Sequence, residues 1–193
     1  MFDLISGKAI HGTPDKVELG PCCMTPLFIS IARQQTRTAR ALITAGAHIS
    51  LRDRHGLTPL LLAARSGCLG AVEALMEQHA DINDRNPING FHALHYAVGN
   101  MHFSIARLLV LQGADINAAT DQGLTALHQT ACLGCLDFAM YLLSNGAVLD
   151  PLDCAGQTPH DYALRNGKAD LAALLQAHSD GLRCHQQGAG QNQ

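Results

Sequence analysis

Cys132-Leu133-Gly134-Cys135 is the segment whose residue types and spacing point most directly to chemistry, since two thiols so placed can bind a metal or cycle as a dithiol. Eleven histidines add further ligands and bases. His95 follows His92 by three residues and His128 follows Thr125 by three, a spacing that suits either a general base or a hydrogen-bonded helix start. A zinc centre needs about four ligands converging on one point. No glycine-rich phosphate loop follows a strand-like run, and no Gly-x-Ser-x-Gly is present. Whether these groups act together depends on the elements that hold them.

Those elements repeat. Thr25-Pro26-Leu27 returns as Thr58-Pro59-Leu60, His92-Ala93-Leu94, Thr125-Ala126-Leu127 and Thr158-Pro159-His160, at steps of 33, 34, 33 and 33 residues. A constant period of that length makes the repeat, about five copies of it, the structural unit. Apolar residues form 47% of the chain and charged residues 15%, below the roughly 25% of ordinary globular domains. That balance suits short helices buried against neighbours on both sides.

The second copy is the cleanest. Thr58 is placed as N-cap and Pro59 where a first turn has no use for its N–H, which predicts a helix of about two turns through Ala64. Gly67 is placed to end it in a left-handed conformation. Val72, Leu75 and Met76 then mark the buried face of a second helix. Glycines at 46, 113 and 146 end the corresponding second helices elsewhere, whereas His79 stands at that position here. A short extended segment and a turn lead into the next copy.

This unit resembles the ankyrin repeat, on the strength of Thr-Pro-Leu, Ala63-Ala64, Gly67 and the Gly-Ala-Asp-Ile-Asn run at 113–117. The resemblance covers about residues 24–178. It implies an all-α solenoid of about five helix-turn-helix-hairpin repeats, curved and right-handed, with inner helices and projecting hairpin tips that bind other proteins. Repeats are expected near 24–56, 57–90, 91–123, 124–156 and 157–178. Residues 1–23 form an N-terminal extension whose Phe2, Leu4 and Ile5 are suited to cover the first repeat. His160, Asp161, Asp170 and Gln176 give the last repeat a polar, capping character. Residues 179–193, rich in Gly and Gln, are expected to be a disordered tail.

Placed in this frame, the thiols separate. Cys132 closes an inner helix and Cys135 opens an outer one. Cys68 is equivalent to Cys135 but two repeats away, roughly 20 Å at the ~10 Å spacing of packed helices. Cys154 sits on the next hairpin, and Cys22-Cys23 and Cys184-His185 are isolated in the flanks. Small-residue packing is expected for the cysteines, with no metal and no cofactor. The resemblance likewise assigns His95 and His128 to hydrogen bonds that link adjacent repeats, and the chain is not expected to be an enzyme.

Net charge is −3, and residues 1–90 carry nine Lys and Arg against eight Asp and Glu, residues 91–193 four against eight. Nonspecific nucleic-acid binding is not suggested. No apolar run reaches the roughly 18 residues of a membrane span, and the first residues lack a secretory pattern. Seven irregularly spaced cysteines do not form a disulfide framework. A cytoplasmic location is expected, with secretion by a route that reads other signals left open.

The hairpin tips fall at 51–57, 84–91, 118–124 and 151–157. The first two gather Arg52, Arg54, His55, Arg85, Ile88, Asn89 and Phe91, and the third offers Gln122. Inner-helix ends add Arg33, Arg65, Ser66, Asn100, Leu133, Arg165 and Asn166. Arginine and aromatic side chains are common at binding hot spots, although Asp53 and Asp84 stand among the arginines. The resemblance places Asp53 and Asp153 where a family aspartate braces the hairpin backbone. The extra residue of the 34-residue step is expected to make the second tip protrude.

The expected function is protein–protein interaction, as an adaptor or scaffold, with an acidic or amphipathic segment of a partner as ligand and a chain that is monomeric by itself. An inhibitor or immunity-type protein that blocks an enzyme, and a secreted microbial effector that mimics host interaction modules, are the alternatives.

Overall fold

In the computed structural model, residues 25–188 are described. The proposed N-terminal extension lies outside them, as do Cys22 and Cys23. Ten helices occupy the described residues, and the sole bridge there pairs Arg85 with His92. They run α1 (Pro26–Ala32), α2 (Thr36–Thr44), α3 (Pro59–Ser66), α4 (Leu69–Glu77) and α5 (Ala93–Gly99). The rest are α6 (Phe103–Leu111), α7 (Ala126–Leu133), α8 (Leu136–Ser144), α9 (Pro159–Arg165) and α10 (Ala169–Gly188). Odd-numbered helices pack in sequence, α1 on α3, α3 on α5, α5 on α7 and α7 on α9, which forms an inner row. The even-numbered helices back them as an outer row. This is the expected all-α repeat solenoid.

The repeated sequence explains the repeated geometry. Thr25, Thr58, Thr125 and Thr158 precede their helices in extended conformation, and Pro26, Pro59 and Pro159 fill first-turn positions that need no N–H. Thr158 Oγ1 accepts from Asp161 N–H at 3.2 Å, while Asp161 Oδ2 accepts from Thr158 N–H at 2.9 Å. The helices have seven to nine residues apart from α10, too few to be stable alone. Burial holds them: Leu27, Leu60, Leu94 and Leu127, one in each of the first four repeats, are at most 2% exposed and belong to one continuous apolar core. Each such side chain contributes about 2 kcal/mol when withdrawn from water.

The helix ends follow the same beat. Gly67 and Gly134 adopt φ of +79° and +78° after α3 and α7, and Met101 (+60°) and Gln34 (+55°) occupy the equivalent place after α5 and α1. His79, at φ +58°, stands where Gly46 and Gly113 end the neighbouring outer helices. A side chain at positive φ costs about 1 kcal/mol relative to glycine. Met101 and His79 are both exposed, so little packing offsets that cost. Met101→Gly and His79→Gly are each expected to raise stability by about 1 kcal/mol in urea titrations. Unchanged or lowered midpoints would show that those side chains hold something.

One feature differs from the sequence expectation. Helix α10 continues through Gly188, ten residues past the boundary drawn at 178. No proline interrupts 169–188, and Leu, Arg and Gln favour continuation.

Candidate functional site

Each tip is braced by one polar side chain. Asp53 Oδ1 accepts from His55 N–H at 2.8 Å and Leu57 N–H at 2.9 Å. Asp153 Oδ1 does the same for Ala155 and Gln157, at 2.9 and 2.8 Å, and Thr120 Oγ1 accepts from Leu124 N–H at 3.1 Å. Both aspartates therefore have the bracing role that the resemblance implied. In the second tip Asn86 takes over: its Oδ1 accepts from Ile88 N–H at 2.9 Å, and its Nδ2 donates to His55 O at 2.9 Å and Tyr96 Oη at 2.8 Å. Asn86 is buried.

The extra residue is located by the turn bonds. Gly56, Gly123 and Gly156 N–H groups reach back three residues to the brace carbonyl, but Gly90 N–H reaches back four, to Asn86 O at 2.8 Å. The insertion therefore lies within 87–89. Ile88 at its apex is 66% exposed.

Successive tips are bonded to one another. Besides Asn86 to His55, Asp121 N–H donates to Asn89 O at 3.3 Å and Cys154 N–H to Gln122 O at 2.9 Å. Arg52 Nη2 pairs with Asp84 at 2.5 Å, and its Nη1 donates to Gly56 O and Arg85 O. Arg85 pairs with Asp121 at 3.1 Å. Two of the three arginines on the first two tips thus join one tip to the next. Arg54 instead donates from Nε to His55 Nε2 at 3.0 Å and makes no ion pair among the described residues. Arg65 is exposed at the end of α3.

The other expected contact residues also divide. Phe91 is half-buried, with its ring 5.6 Å from that of His95 and 5.3 Å from that of Tyr96. Asn89 braces Phe91 N–H at 3.0 Å. Leu133 packs partly against the core, and Ser66 Oγ bonds back to Leu62 O at 2.8 Å. Asn100 is exposed and donates to Tyr96 O at 2.8 Å, and Gln122 is exposed. A column that sequence reasoning passed over is Ile29, Leu62, Tyr96, Gln129 and Tyr162, the fourth residue after each helix-start residue, all partly exposed along the inner row. The repeat frame itself contained that signal.

The groups that suggested chemistry are occupied with structure. His95 Nδ1 accepts from His92 N–H at 3.3 Å, so Nε2 carries the proton and donates to Leu124 O at 2.9 Å in the next tip. His128 repeats this with Thr125 N–H and Gln157 O, both at 3.1 Å. Burial pushes the His95 imidazole down to about 4 and lowers His128 as well, which marks them as neutral linkers between repeats. Cys132 accepts from Asn166 Nδ2 at 3.8 Å, and burial raises its thiol. Cys135 instead lines a cavity of about 390 Å³ between α6 and α8, beside Phe103 and Phe138. The two thiols face different neighbours, and among the described residues no cluster of three His, Cys, Asp or Glu is placed to hold a metal. No described helix is long and apolar enough to cross a membrane.

Comparison with known proteins agrees with this architecture. The family described as ankyrin repeats (3 copies) matches residues 3–86 and 94–187. The chain is similar to the nuclear factor NF-kappa-B p105 subunit of Gallus gallus, with 33% identity over 162 residues, covering 79% of this chain and 16% of that protein. It is 35% identical over 160 residues to the B-cell lymphoma 3 protein homolog of Mus musculus, covering 77% of this chain and 36% of that protein. To NF-kappa-B inhibitor alpha of Sus scrofa it is 40% identical over 99 residues, covering 49% and 32%. The chain thus spans well under two thirds of the length of each of these relatives.

Proposed function

We propose that this chain, which belongs to the ankyrin-repeat family, binds another protein along its inner helices and hairpin tips and performs no chemistry of its own. Ankyrin repeats are protein-interaction modules, and one observation carries the reading to this chain. Its tips are bonded to each other across every junction from the first to the fourth, so the surface they form with the inner row is set before any ligand arrives. A preformed surface binds with little loss of conformational entropy. Its two most deeply placed imidazoles are consumed in repeat-to-repeat bonds, which argues against acid–base catalysis there.

The ligand favoured by the charges is an acidic or amphipathic segment, met by Arg33, Arg54 and Arg65 rather than by Arg52 and Arg85. Reversing Arg52, Arg54 and Arg85 together would strip two inter-tip ion pairs as well as the surface charge. The cleaner variant is Arg33→Glu/Arg54→Glu/Arg65→Glu. With the purified full chain as bait in an extract of its source cells, we expect a partner whose recovery falls at least about ten-fold with the triple variant. The thermal midpoint should stay within about 2 °C, as for exposed substitutions. Equal recovery by both baits would remove the basic-surface reading.

The likeness to a protein named NF-kappa-B inhibitor alpha favours a second reading, in which binding blocks the partner. If the captured partner is an enzyme, stoichiometric addition of the chain should suppress its activity. An adaptor would leave it unchanged.

A further inference from the structure

We infer that the second tip is a specificity knob, in which Ile88 inserts between the apolar side chains of an amphipathic helix of the partner while Arg54 holds an acidic residue on that helix's flank. The inference rests on the protein-binding reading above and says which few side chains do the selecting.

Three observations carry it. The insertion at 87–89 is the one departure from the period, and it carries Ile88, 66% exposed, at its apex. The loop beneath is held rather than loose. Ile88 N–H is fixed to Asn86 Oδ1, buried Asn86 is tied to His55 O and Tyr96 Oη, and Asn89 Nδ2 reaches Tyr96 Oη at 3.4 Å. Arg54 supplies the third, because it stands on the adjoining first tip without a carboxylate. Its neighbour His55 is bonded to Asn86, and a Cβ built on Gly56 would lie 3.2 Å from Pro87 Cδ.

Rigid apolar knob and unpaired cation therefore lie on two tips that are bonded to each other. The complementary ligand has a hole between residues at i, i+3, i+4 and i+7 of a helix, with Asp or Glu on the flank. Charge decides for an acidic flank, since the nearest other arginines, Arg52 and Arg85, already face Asp84 and Asp121.

The test is a selection on the full chain with a phage-displayed library of random 16-residue helical peptides. Enriched peptides should carry apolar residues at helical spacing with flanking Asp or Glu. Their Kd should weaken at least about ten-fold on Ile88→Asp, the scale of withdrawing one isoleucine from an apolar contact. Arg54→Glu should weaken it by about five-fold or more, and Ile88→Val, which keeps a β-branched knob, should largely restore binding. Both positions are exposed, and matched thermal midpoints establish that the variants fold. Peptides indifferent to Ile88→Asp but lost on Tyr96→Ala or Arg33→Glu/Arg65→Glu would overturn the knob and keep the protein-binding reading. A library yielding no peptide that depends on any of these residues would overturn both.

Discussion

Acidification from pH 7 to pH 4 is expected to remove about 3 kcal/mol of folding stability through His95 alone. Burial holds its folded pKa at about 4, against 6.5 for the free side chain. Between those values the unfolded chain binds the proton and the folded chain does not. The contribution is therefore intact above pH 6.5, is lost as pH falls toward 4, and levels off below. At 1.36 kcal/mol per unit the loss is about 3 kcal/mol, or roughly 10 °C in thermal midpoint for a chain of this size. The hydrogen bond to Leu124 O and the carboxylate of Asp115 pull the other way but do not outweigh desolvation, which the neighbouring His92 reinforces. The depressed His128 and His92 act in the same direction. Asp153 and Asp161, lowered by backbone and hydroxyl donors, lose their contributions only further down the scale, as pH falls through the acid range below 3.8.

His95→Gln isolates the effect. A glutamine amide can accept from His92 N–H and donate to Leu124 O without titrating. This variant should be about 1–2 kcal/mol less stable at pH 7, yet much flatter between pH 4 and 6.5. Urea unfolding at half-unit pH steps provides the comparison. Parallel profiles for wild type and variant would show that His95 is not the titrating group.

Gly90→Ala should cost about 3 kcal/mol, more than backbone strain alone. Gly90 has φ +71°, and an added Cβ would stand 2.5 Å from the backbone nitrogen of Asp121 and 2.6 Å from its carboxylate. That nitrogen donates to Asn89, and that carboxylate pairs with Arg85, so the methyl group pushes apart the second and third tips. Gly113→Ala is the control: φ is +89° but nothing lies within 4 Å, so it should cost only about 1 kcal/mol. Equal losses in the two variants would mean that the close approach of the tips is unimportant. Hydrogen exchange should also show protection before residue 90 falling faster than protection after it.

Much of the fold was legible because its turn chemistry is local. Thr before Pro and glycine at a helix end state their roles within a few residues, and the period then places the helices. The helix-start bond of His128 was legible too, since Thr125 and His128 lie in one turn, whereas its link to Gln157 in the next tip was carried by the resemblance alone. The working arrangement of the tips was not. Arg52 finds Asp84 and Arg85 finds Asp121 in the following tip, a pairing that nothing near either arginine announces. Asn86 reads as one more polar turn residue, yet it is buried because a tyrosine ten residues later reaches back to it. Phe91 reads as an exposed aromatic but packs against that same tyrosine, with the two rings tilted by 44°. Local grammar is written in adjacent letters, whereas a repeat surface is made where distant ones meet.

The third residue after each helix-start residue runs Phe28, Leu61, His95, His128, Asp161 along the array. The first two are fully buried and apolar, the next two are buried hydrogen-bonded linkers, and the last is an exposed cap. Along this one position apolar burial therefore gives way to hydrogen bonding. Apolar contact weakens on cooling, whereas an imidazole held neutral gives way to protons. In a one-dimensional stack each junction opens on its own terms. Cold should loosen this chain from its first repeats and acid from its third and fourth, so that two stresses open a single molecule at different junctions.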